Sequence, residues 1–393
     1  MEICKKNMCT GCTACSSICP KRCITMKPNE EGFLYPYINE DKCIGCNQCV
    51  KVCPINELKI PQFNIYGKII QIKDKKTLKN CTSGGAFTSI AIKFLEMGGV
   101  AIGAVYDDEL KIVHEVISEE TNVKKISGSK YVQSDMQDIY RSVKQLDSKG
   151  IKCVFCGTPC QTAGLYNYLA EKRKNVYLVD LVCHGVPSPL LWKKYIEHQE
   201  QKYGKMLFAN FRSKAYGYHV ATMETIFENQ KKVRGSARTD LMSKCFFKNI
   251  ADRESCYNCK FKTIERCSDL TIFDSWHASE LNSSLKDDDS GFTNVLVQSN
   301  KGKELLELIQ DTTVQVDMDY KLAIQMDGSM AIGSVKRPAE RSVFYNELNN
   351  KEIDDVVKSI CPIRKSDYVI EKLKLPAKKL GLAYYIKRLK MQR

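Results

Sequence analysis

The sequence predicts a small cysteine-rich α+β domain followed by a larger α/β domain with a mainly parallel or mixed sheet. Ten of the 20 cysteines lie within the first 53 residues. From about residue 62 onward, apolar strands alternate with helices, which is the pattern of a sheet covered on both faces. The length of 393 residues is enough for two or three domains. We expect segments at 1–60, 61–182, 183–335 and 336–393, the last a helical basic tail.

The N-terminal segment contains an internal repeat at an offset of 34 residues. Both copies, at 9–20 and 43–54, have the pattern C-x2-C-x2-C-x3-C-P. Three closely spaced thiolates surround one cube-shaped iron–sulfur core, while the fourth, before proline, reaches the other core. The repeat therefore predicts two [4Fe-4S] clusters. The ligand sets are Cys9, Cys12, Cys15 and Cys53 for the first site, and Cys43, Cys46, Cys49 and Cys19 for the second.

Other interpretations of this repeat fit less well. Zinc sites favour two separated pairs of ligands rather than two interleaved sets of four. Disulfides are a poor explanation in a reducing cytosol. An alternative is that the clusters only stabilise the fold, but two clusters held close together suit electron transfer better. The segment is therefore interpreted as a bacterial-type two-cluster ferredoxin domain.

The second domain is predicted from the alternation of apolar runs with glycine- and proline-rich turns. Strands are expected over 100–106, 151–155, 176–182 and 270–273, with antiparallel strands within 205–235. Helices are expected over 86–97, 159–171, 240–251, 303–310 and 352–360.

Further cysteines lie at the ends of these predicted strands. Cys160 and Cys183 each follow a strand, at the carboxyl edge where ligands of α/β sheets gather. Cys256 and Cys259 form a C-x2-C pair in a basic loop. A third cluster is reasonable here, although spacing does not choose among these four and Cys153, Cys156 and Cys267. Cys153 and Cys156 are also explained as small buried hydrophobes in a strand. The same interpretation is given to Cys4, Cys23, Cys81, Cys245 and Cys361.

Two smaller features suggest ligand contacts. The Ser83-Gly84-Gly85 turn opens a helix, where free amides and the helix dipole could hold a phosphate. The alternative is an ordinary N-cap with a tight turn. His184 adjoins Cys183 and could relay a proton as a catalytic residue, or it could simply hydrogen-bond a turn carbonyl.

Composition and charge limit the remaining function classes. The chain is 43% hydrophobic and 27% charged, which excludes disorder. It has no apolar stretch near the roughly 18 residues that span a membrane and no secretory signal, so we expect a cytoplasmic protein. Three clusters, each carrying −2 with its thiolates, would lower the formal charge from +14 to about +8, which makes nucleic acid an unlikely partner. The tail from residue 366 has eight Lys/Arg and two acidic residues. It could contact an anionic membrane peripherally, dock an acidic partner, or pack on the core with a solvated charged face.

Together these segments resemble the coenzyme F420 hydrogenase/dehydrogenase beta-subunit family. The resemblance covers roughly residues 1–280. It rests on the two cysteine runs and on the sequences at 81–85, 128–134, 154–161, 179–189, 255–262 and 269–272.

The resemblance implies FAD as a cofactor. It implies phosphate contacts by Ser83, Gly84 and Gly85, further flavin contacts by Gly128, Ser129, Lys130 and Tyr131, and third-cluster ligation by Cys160, Cys183, Cys256 and Cys259. One motif departs from the family. After Asp-Ile-Thr-Ile the family often has Gly-Asp-Phe-Trp-Gly, whereas this chain has Phe-Asp-Ser-Trp-His at 273–277. We therefore expect a pocket that differs from the family's at this turn.

The leading hypothesis is an oxidoreductase that passes electrons between its clusters and FAD, reducing or oxidising a small molecule such as coenzyme F420. Iron–sulfur clusters carry single electrons and flavins handle one or two, which explains why both would occur in one chain. Ferredoxin or another redox protein is the expected partner, and an oligomer is possible. The alternatives are a non-catalytic electron-transfer subunit of a larger complex and, with less support, a basic nucleic-acid-binding protein with structural clusters.

Overall fold

The structure is a computed structural model that describes residues 2–170 and 173–380. Its strands are β1 (Ile24–Pro28), β2 (Leu34–Ile38), β3 (Tyr66–Ile72), β4 (Val100–Tyr106), β5 (Ile112–Ile117), β6 (Cys153–Gly157), β7 (Val176–Leu181), β8 (Met206–Asn210), β9 (Thr222–Phe227), β10 (Lys232–Ser236), β11 (Leu270–Ser275), β12 (Phe292–Val297) and β13 (Thr313–Met318).

Its helices are α1 (Ala14–Ile18), α2 (Gln48–Lys51), α3 (Lys75–Asn80), α4 (Ala86–Glu96), α5 (Ile139–Ser148), α6 (Pro159–Leu169), α7 (Pro189–Tyr203), α8 (Leu241–Phe247), α9 (Ala278–Leu281), α10 (Asn300–Leu308), α11 (Tyr320–Asp327), α12 (Arg341–Asn350), α13 (Ile353–Ile360) and α14 (Lys365–Lys379).

The cysteine repeat folds into two similar halves joined by a hairpin. In each half a short helix, α1 or α2, begins directly after a residue in the left-handed conformation, Thr13 at φ 67° and Asn47 at φ 57°. These two residues are related by the same offset as the cysteines. The antiparallel pair β1–β2, with Ile24 opposite Ile38, connects the halves. The sequence repeat is therefore also a structural repeat.

The second domain is built on an eight-stranded mixed sheet of order β13-β3-β12-β11-β7-β6-β4-β5. Strands β4, β6, β7 and β11 are parallel neighbours, and β3 runs in the same direction because both β3 and β11 are antiparallel to β12. Carboxyl ends of these five strands thus meet at one edge of the sheet. The predicted fold class is confirmed, and its mixed form is the one observed. Segments 61–182 and 183–335 contribute to the same sheet.

Apolar residues cover both faces of this sheet. Val154 and Val179 pack with Phe94 of α4 on one face, whereas Phe155 and Leu178 pack with α5 and α6 on the other. Adjacent strand residues point to opposite faces, so a strand buried on both sides is continuously apolar. This is why β6 and β7 were recognisable in the sequence.

Several predicted boundaries differ from the structure, for local reasons. The strand expected from residue 151 begins at Cys153, because the Ile151 amide closes the turn after α5 by donating to Leu146 O at 3.0 Å. The helix expected to reach residue 251 ends at Phe247, just before Asn249 adopts a left-handed φ of 57°.

The C-terminal helices form a third layer with the antiparallel sheet β10-β9-β8. Phe344 and Leu348 of α12 and Val356 of α13 are fully buried in a core shared with α7 and α8. Helix α14 faces the protein with polar residues, since Glu371 accepts hydrogen bonds from Ser236. Residues 381–393, with the last four basic residues of the tail, lie outside the described residues. Within the described ranges, no helix has the length and apolarity needed to cross a membrane.

A buried ion pair joins the first domain to the last layer. Arg341 on α12 is 2% exposed and makes a bidentate pair with Glu31, from the β1–β2 turn, at 2.6 and 2.7 Å. The same guanidinium donates to Asp252 O. The pair therefore fastens the cysteine-rich domain to the helices that close the core.

We predict that Arg341→Met lowers the free energy of unfolding by about 3 kcal/mol, because Glu31 is left without its partner in a poorly hydrated place. Anaerobic thermal and denaturant unfolding would measure the loss. The control is Arg337→Met, which breaks a pair with Glu254 whose side chains are 38% and 34% exposed. This change should cost less than about 1 kcal/mol. Equal losses for the two variants would contradict the structural role of Arg341.

Candidate functional site

The first predicted ligand set comes together in the cysteine-rich domain. Burial, followed by the negative charges of Cys9 and Cys53, raises the pKa of Cys15 to about 12. Burial and the charges of Cys15 and Cys53 also raise the pKa of Cys12. Each of the four thiols therefore lies within electrostatic reach of others in its set. This placement agrees with the crosswise assignment in which Cys53 completes the site of the first run.

The second set lines a surface cavity with an empty volume of about 350 Å³. The predicted ligands Cys19, Cys43, Cys46 and Cys49 all contribute to its wall, and so does a fifth cysteine, Cys23. Among the described residues, no three His, Cys, Asp or Glu side chains are close enough to hold a single metal ion. A [4Fe-4S] core is a larger body that places its irons, and hence its thiolates, at separate corners of a cube.

Four further cysteines line a second cavity, whose empty volume is about 460 Å³. They are Cys160, Cys183, Cys256 and Cys259, the set implied by the family resemblance. In the described part of the chain, the three alternatives do not line this cavity. Cys153 is buried within β6, Cys156 packs on the other side of the sheet, and Cys267 is buried beside Asp180 and Arg173.

The sheet topology explains how the first two of these thiols meet. Strands β6 and β7 are parallel neighbours, so the turns after them, with Cys160 and Cys183, lie side by side. Cys160 is held in the first turn of α6 by a capping box, in which the Thr158 amide donates to Gln161 Oε1 at 3.0 Å. Burial raises the pKa of Cys160 to about 11 and of Cys183 to about 12. Iron binding to these thiols must therefore release protons.

Arg253 lies between the first site and this cavity. Its side chain is fully buried, donates from Nε to Cys9 O at 2.8 Å, and has Nη2 at 3.7 Å from Cys9 Sγ. It also donates to Gln133 Oε1 and Leu34 O, both at 3.0 Å, and lines the second cavity. No carboxylate of the described residues pairs with it. A buried cation without a carboxylate needs another anion nearby, and thiolate-bound clusters are anionic.

Two glycines bring the first site and the cavity together. A Cβ on Gly11, whose φ is +69°, would lie 3.0 Å from Nη1 of Arg253. A Cβ on Gly164 of α6 would lie 2.9 Å from Cys12 Sγ. Only glycine allows these approaches, so the helix that carries Cys160 is packed directly against a thiol of the first site.

The two segments implied as flavin contacts adjoin each other. The Ser129 amide donates to Thr82 Oγ1 at 2.8 Å, which places the 128–131 loop beside the 81–85 turn. Ser83 does not cap the helix, because its hydroxyl is hydrogen-bonded to Thr293. The Gly84 amide also donates to Thr293, which removes it from the donors available to a phosphate.

The start of α4 remains open to an anion. Helix α4 begins without a side-chain cap, so its first amides and dipole are available to an anion. A Cβ on Gly128 would meet no atom within 4 Å, so the loop is open there. The Lys130 ammonium donates to carbonyls of its own loop, at Lys125 and Gly128, and burial lowers its pKa to about 7.

An aromatic and charged cluster extends from Tyr131 along the same sheet edge. The Tyr131 ring stacks on Phe246 with centroids 4.3 Å apart, and its hydroxyl accepts from Arg212 Nη1 at 2.9 Å. Arg212 pairs with Asp274 at 3.0 Å, and its guanidinium lies 4.7 Å from the centre of the Trp276 ring. The sequence analysis noted Asp274 and Trp276 in the segment 273–277, which departs from the family motif and is called the unusual turn below. It missed Arg212 and Phe246, for which the sequence carries no motif.

His184 connects this cluster with the second cavity. Its ring is 4.7 Å from that of Phe246, and it lines the cavity beside Cys183. Its Nε2 is hydrogen-bonded to the side chain of Asn249, and burial lowers its pKa. A role in proton transfer stays a prediction.

The paired cysteine runs and the α/β domain define an iron–sulfur redox protein of the ferredoxin type. Residues 8–56 and 35–86 each match a 4Fe-4S dicluster domain. Residues 151–318 match the family model for the C terminus of the beta subunit of coenzyme F420 hydrogenase/dehydrogenase. This chain therefore carries the C-terminal domain of that beta-subunit family behind a 4Fe-4S dicluster domain, and the resemblance inferred from its motifs is confirmed.

The sequence was also compared with solved structures and with curated proteins. One solved chain, from the F420-reducing [NiFe] hydrogenase complex of Methanosarcina barkeri, is 17% identical with a TM-score of 0.44. The alignment covers 77% of this chain and 94% of that one. Among curated proteins, none matches this sequence.

We predict that Cys259→Ser loses one cluster, and with it about four iron atoms, while the two ferredoxin-type clusters keep their EPR signals. Anaerobic iron analysis and EPR spectroscopy would measure both. The matched control is Cys267→Ser, which removes a buried thiol outside the cavity and should leave the iron content unchanged. Full iron in Cys259→Ser, or loss of iron in Cys267→Ser, would show that the ligand set is wrong.

Proposed function

We propose that this protein is a flavin-dependent iron–sulfur oxidoreductase, in which three [4Fe-4S] clusters connect a redox partner with FAD and a small organic substrate. The observation that carries the proposal is the position of the second cavity. Thr10 and Arg253 from the side of the first site line it, and so does His184 from the side of the aromatic cluster. A cluster held there lies between the ferredoxin-type domain and the flavin segments.

The contacts support a single order of sites. Cys15 of the first site lies within electrostatic reach of Cys49 of the second. Cys12 in turn lies within reach of Cys160, across the contact at Gly164. From the cavity, the rings of His184, Phe246 and Tyr131 follow one another in van der Waals contact. Electrons would therefore pass from the exposed second site through the first site and the third cluster to the flavin.

The residues around the flavin segments have distinct roles in this proposal. Amides at the start of α4 bind the pyrophosphate, and the Arg212 guanidinium, held by Asp274, keeps one positive charge beside the Tyr131 hydroxyl. The stacked Tyr131 and Phe246 rings exclude water from this side. When bound, FAD would accept single electrons from the clusters and exchange two electrons with the substrate.

The substrate is proposed to be coenzyme F420 or another small organic molecule. The unusual turn bears on this choice. Phe273 replaces one family glycine and is buried, while His277 replaces the other and is hydrogen-bonded to Asp327. Ser275 stands where the family has a phenylalanine, so the side chains at 273–277 differ from the family's in size and polarity, and we expect a different substrate pocket.

An acidic ferredoxin is the proposed electron partner. The second site lies at the surface, where Cys46 and Ile44 are exposed. The basic C-terminal segment would attract such a partner at low ionic strength. A non-catalytic electron-transfer subunit remains the alternative, and it predicts that the isolated chain reduces no small-molecule acceptor.

We predict that protein reconstituted anaerobically with iron, sulfide and FAD binds about twelve iron atoms per chain, four for each of three clusters, together with one flavin. Metal and flavin quantitation, followed by a screen of small-molecule acceptors with reduced ferredoxin as donor, would test this. About eight iron atoms would remove the third cluster from the proposal, and tightly bound zinc would contradict it entirely. Full cofactor content without turnover of any acceptor would favour the electron-transfer subunit.

A further inference from the structure

Cys23, which the ligand assignment does not use, lies against the second ferredoxin-type site. Its Sγ atom is 3.4 Å from Cys19 Sγ, and the neighbouring thiols of Cys19 and Cys43 both raise its pKa. The side chain is 5% exposed and forms part of the cavity wall with the four assigned ligands. Five thiols therefore surround a site that needs four.

Cys4 occupies the equivalent place at the first site. The thiols of Cys53 and Cys9 lie next to it and raise its pKa. In each site, the extra thiol thus contacts the first cysteine of the local run and the fourth ligand, which comes from the other run. The same two ligand positions are involved both times.

The sequence repeat does not explain this correspondence. At the repeat offset, Ile38 is the counterpart of Cys4 and Glu57 is the counterpart of Cys23. Two unrelated segments therefore place a thiol at equivalent positions. A small buried hydrophobe would account for the burial of Cys23, but not for contact with the same pair of ligand sulfurs at both sites.

The backbone holds both thiols in place. Asn56 Nδ2 donates to Ile3 O and Val50 O, both at 2.9 Å, which fastens the segment before Cys4 to α2. At the other site, the Cys23 carbonyl accepts from the Asn39 amide at 2.8 Å, immediately before β1. Neither thiol lies on a free chain end.

We infer that Cys4 and Cys23 are reserve cluster ligands, each able to take the iron position of either ligand that it contacts. Thiolate is the ligand type that iron–sulfur clusters require. When an assigned ligand is lost, the reserve thiol gives up its proton and forms the missing iron–sulfur bond. No electron is transferred, and the number of thiolates on the cluster stays at four. This inference depends on the ligand assignment of the two ferredoxin-type sites and not on the flavin or the third cluster.

At the first site, the test compares two alanine variants after anaerobic reconstitution. Cys53→Ala should keep the iron content and the reduced [4Fe-4S] EPR signal of the parent protein. Cys12→Ala removes a ligand outside the pair that Cys4 contacts, so it should lose iron or show the EPR signal of an oxidised three-iron cluster. The double variant Cys4→Ala/Cys53→Ala should behave like Cys12→Ala, while Cys4→Ala alone should match the parent.

The second site provides an independent repetition. Cys19→Ala should retain its cluster, Cys46→Ala should not, and adding Cys23→Ala to Cys19→Ala should remove the protection. In every variant, the signal of the unaltered site shows that the domain has folded. The inference is overturned if Cys53→Ala and Cys19→Ala lose as much iron as the controls, or if the double variants keep full iron.

Discussion

The relative position of the first cluster site and the second cavity depends on one interaction. In it, the buried Arg253 guanidinium contacts the backbone and the sulfur of Cys9. One side chain joins the first cysteine run, the β1–β2 hairpin through Leu34 O, and the wall of the second cavity. A buried charge without a carboxylate is costly unless an anion compensates it. An anionic cluster held by Cys9 and its partners is such an anion. The fold of the α/β domain and the cofactor of the cysteine-rich domain are therefore energetically linked.

The topology of the sheet determines which site residues lie together. Because β4, β6, β7 and β11 are parallel neighbours, the residues that follow them lie along one edge. Cys160, Cys183 and the Asp274 region are consequently side by side, although more than 100 residues of sequence separate the first from the last. The close approach at Gly164 then sets the cavity against the first site. The order of redox sites that we propose follows from strand direction and one glycine contact, without any additional domain.

Sequence reasoning could predict the parts that depend on local spacing. The crosswise cysteine repeat and the continuously apolar strands β6 and β7 are examples, since both patterns are physical requirements of what they form. The four cavity cysteines needed the family resemblance, because spacing left Cys153, Cys156 and Cys267 open. Arg212, Phe246 and the partners of Arg253 could not be predicted, because their roles depend on contacts between distant segments. The same holds for Cys4 and Cys23, which were interpreted as buried hydrophobes.

The most direct test of this account is an EPR-monitored redox titration of Arg253→Met beside the parent protein and Arg253→Lys. A reduced cluster carries one more negative charge than an oxidised one, so removing the neighbouring cation should make reduction less favourable. The account predicts a lower reduction potential for the cluster held by Cys9, with a smaller change in Arg253→Lys and none for the cluster held by Cys43. An unchanged potential at the first site, or equal shifts at both ferredoxin-type sites, would contradict it.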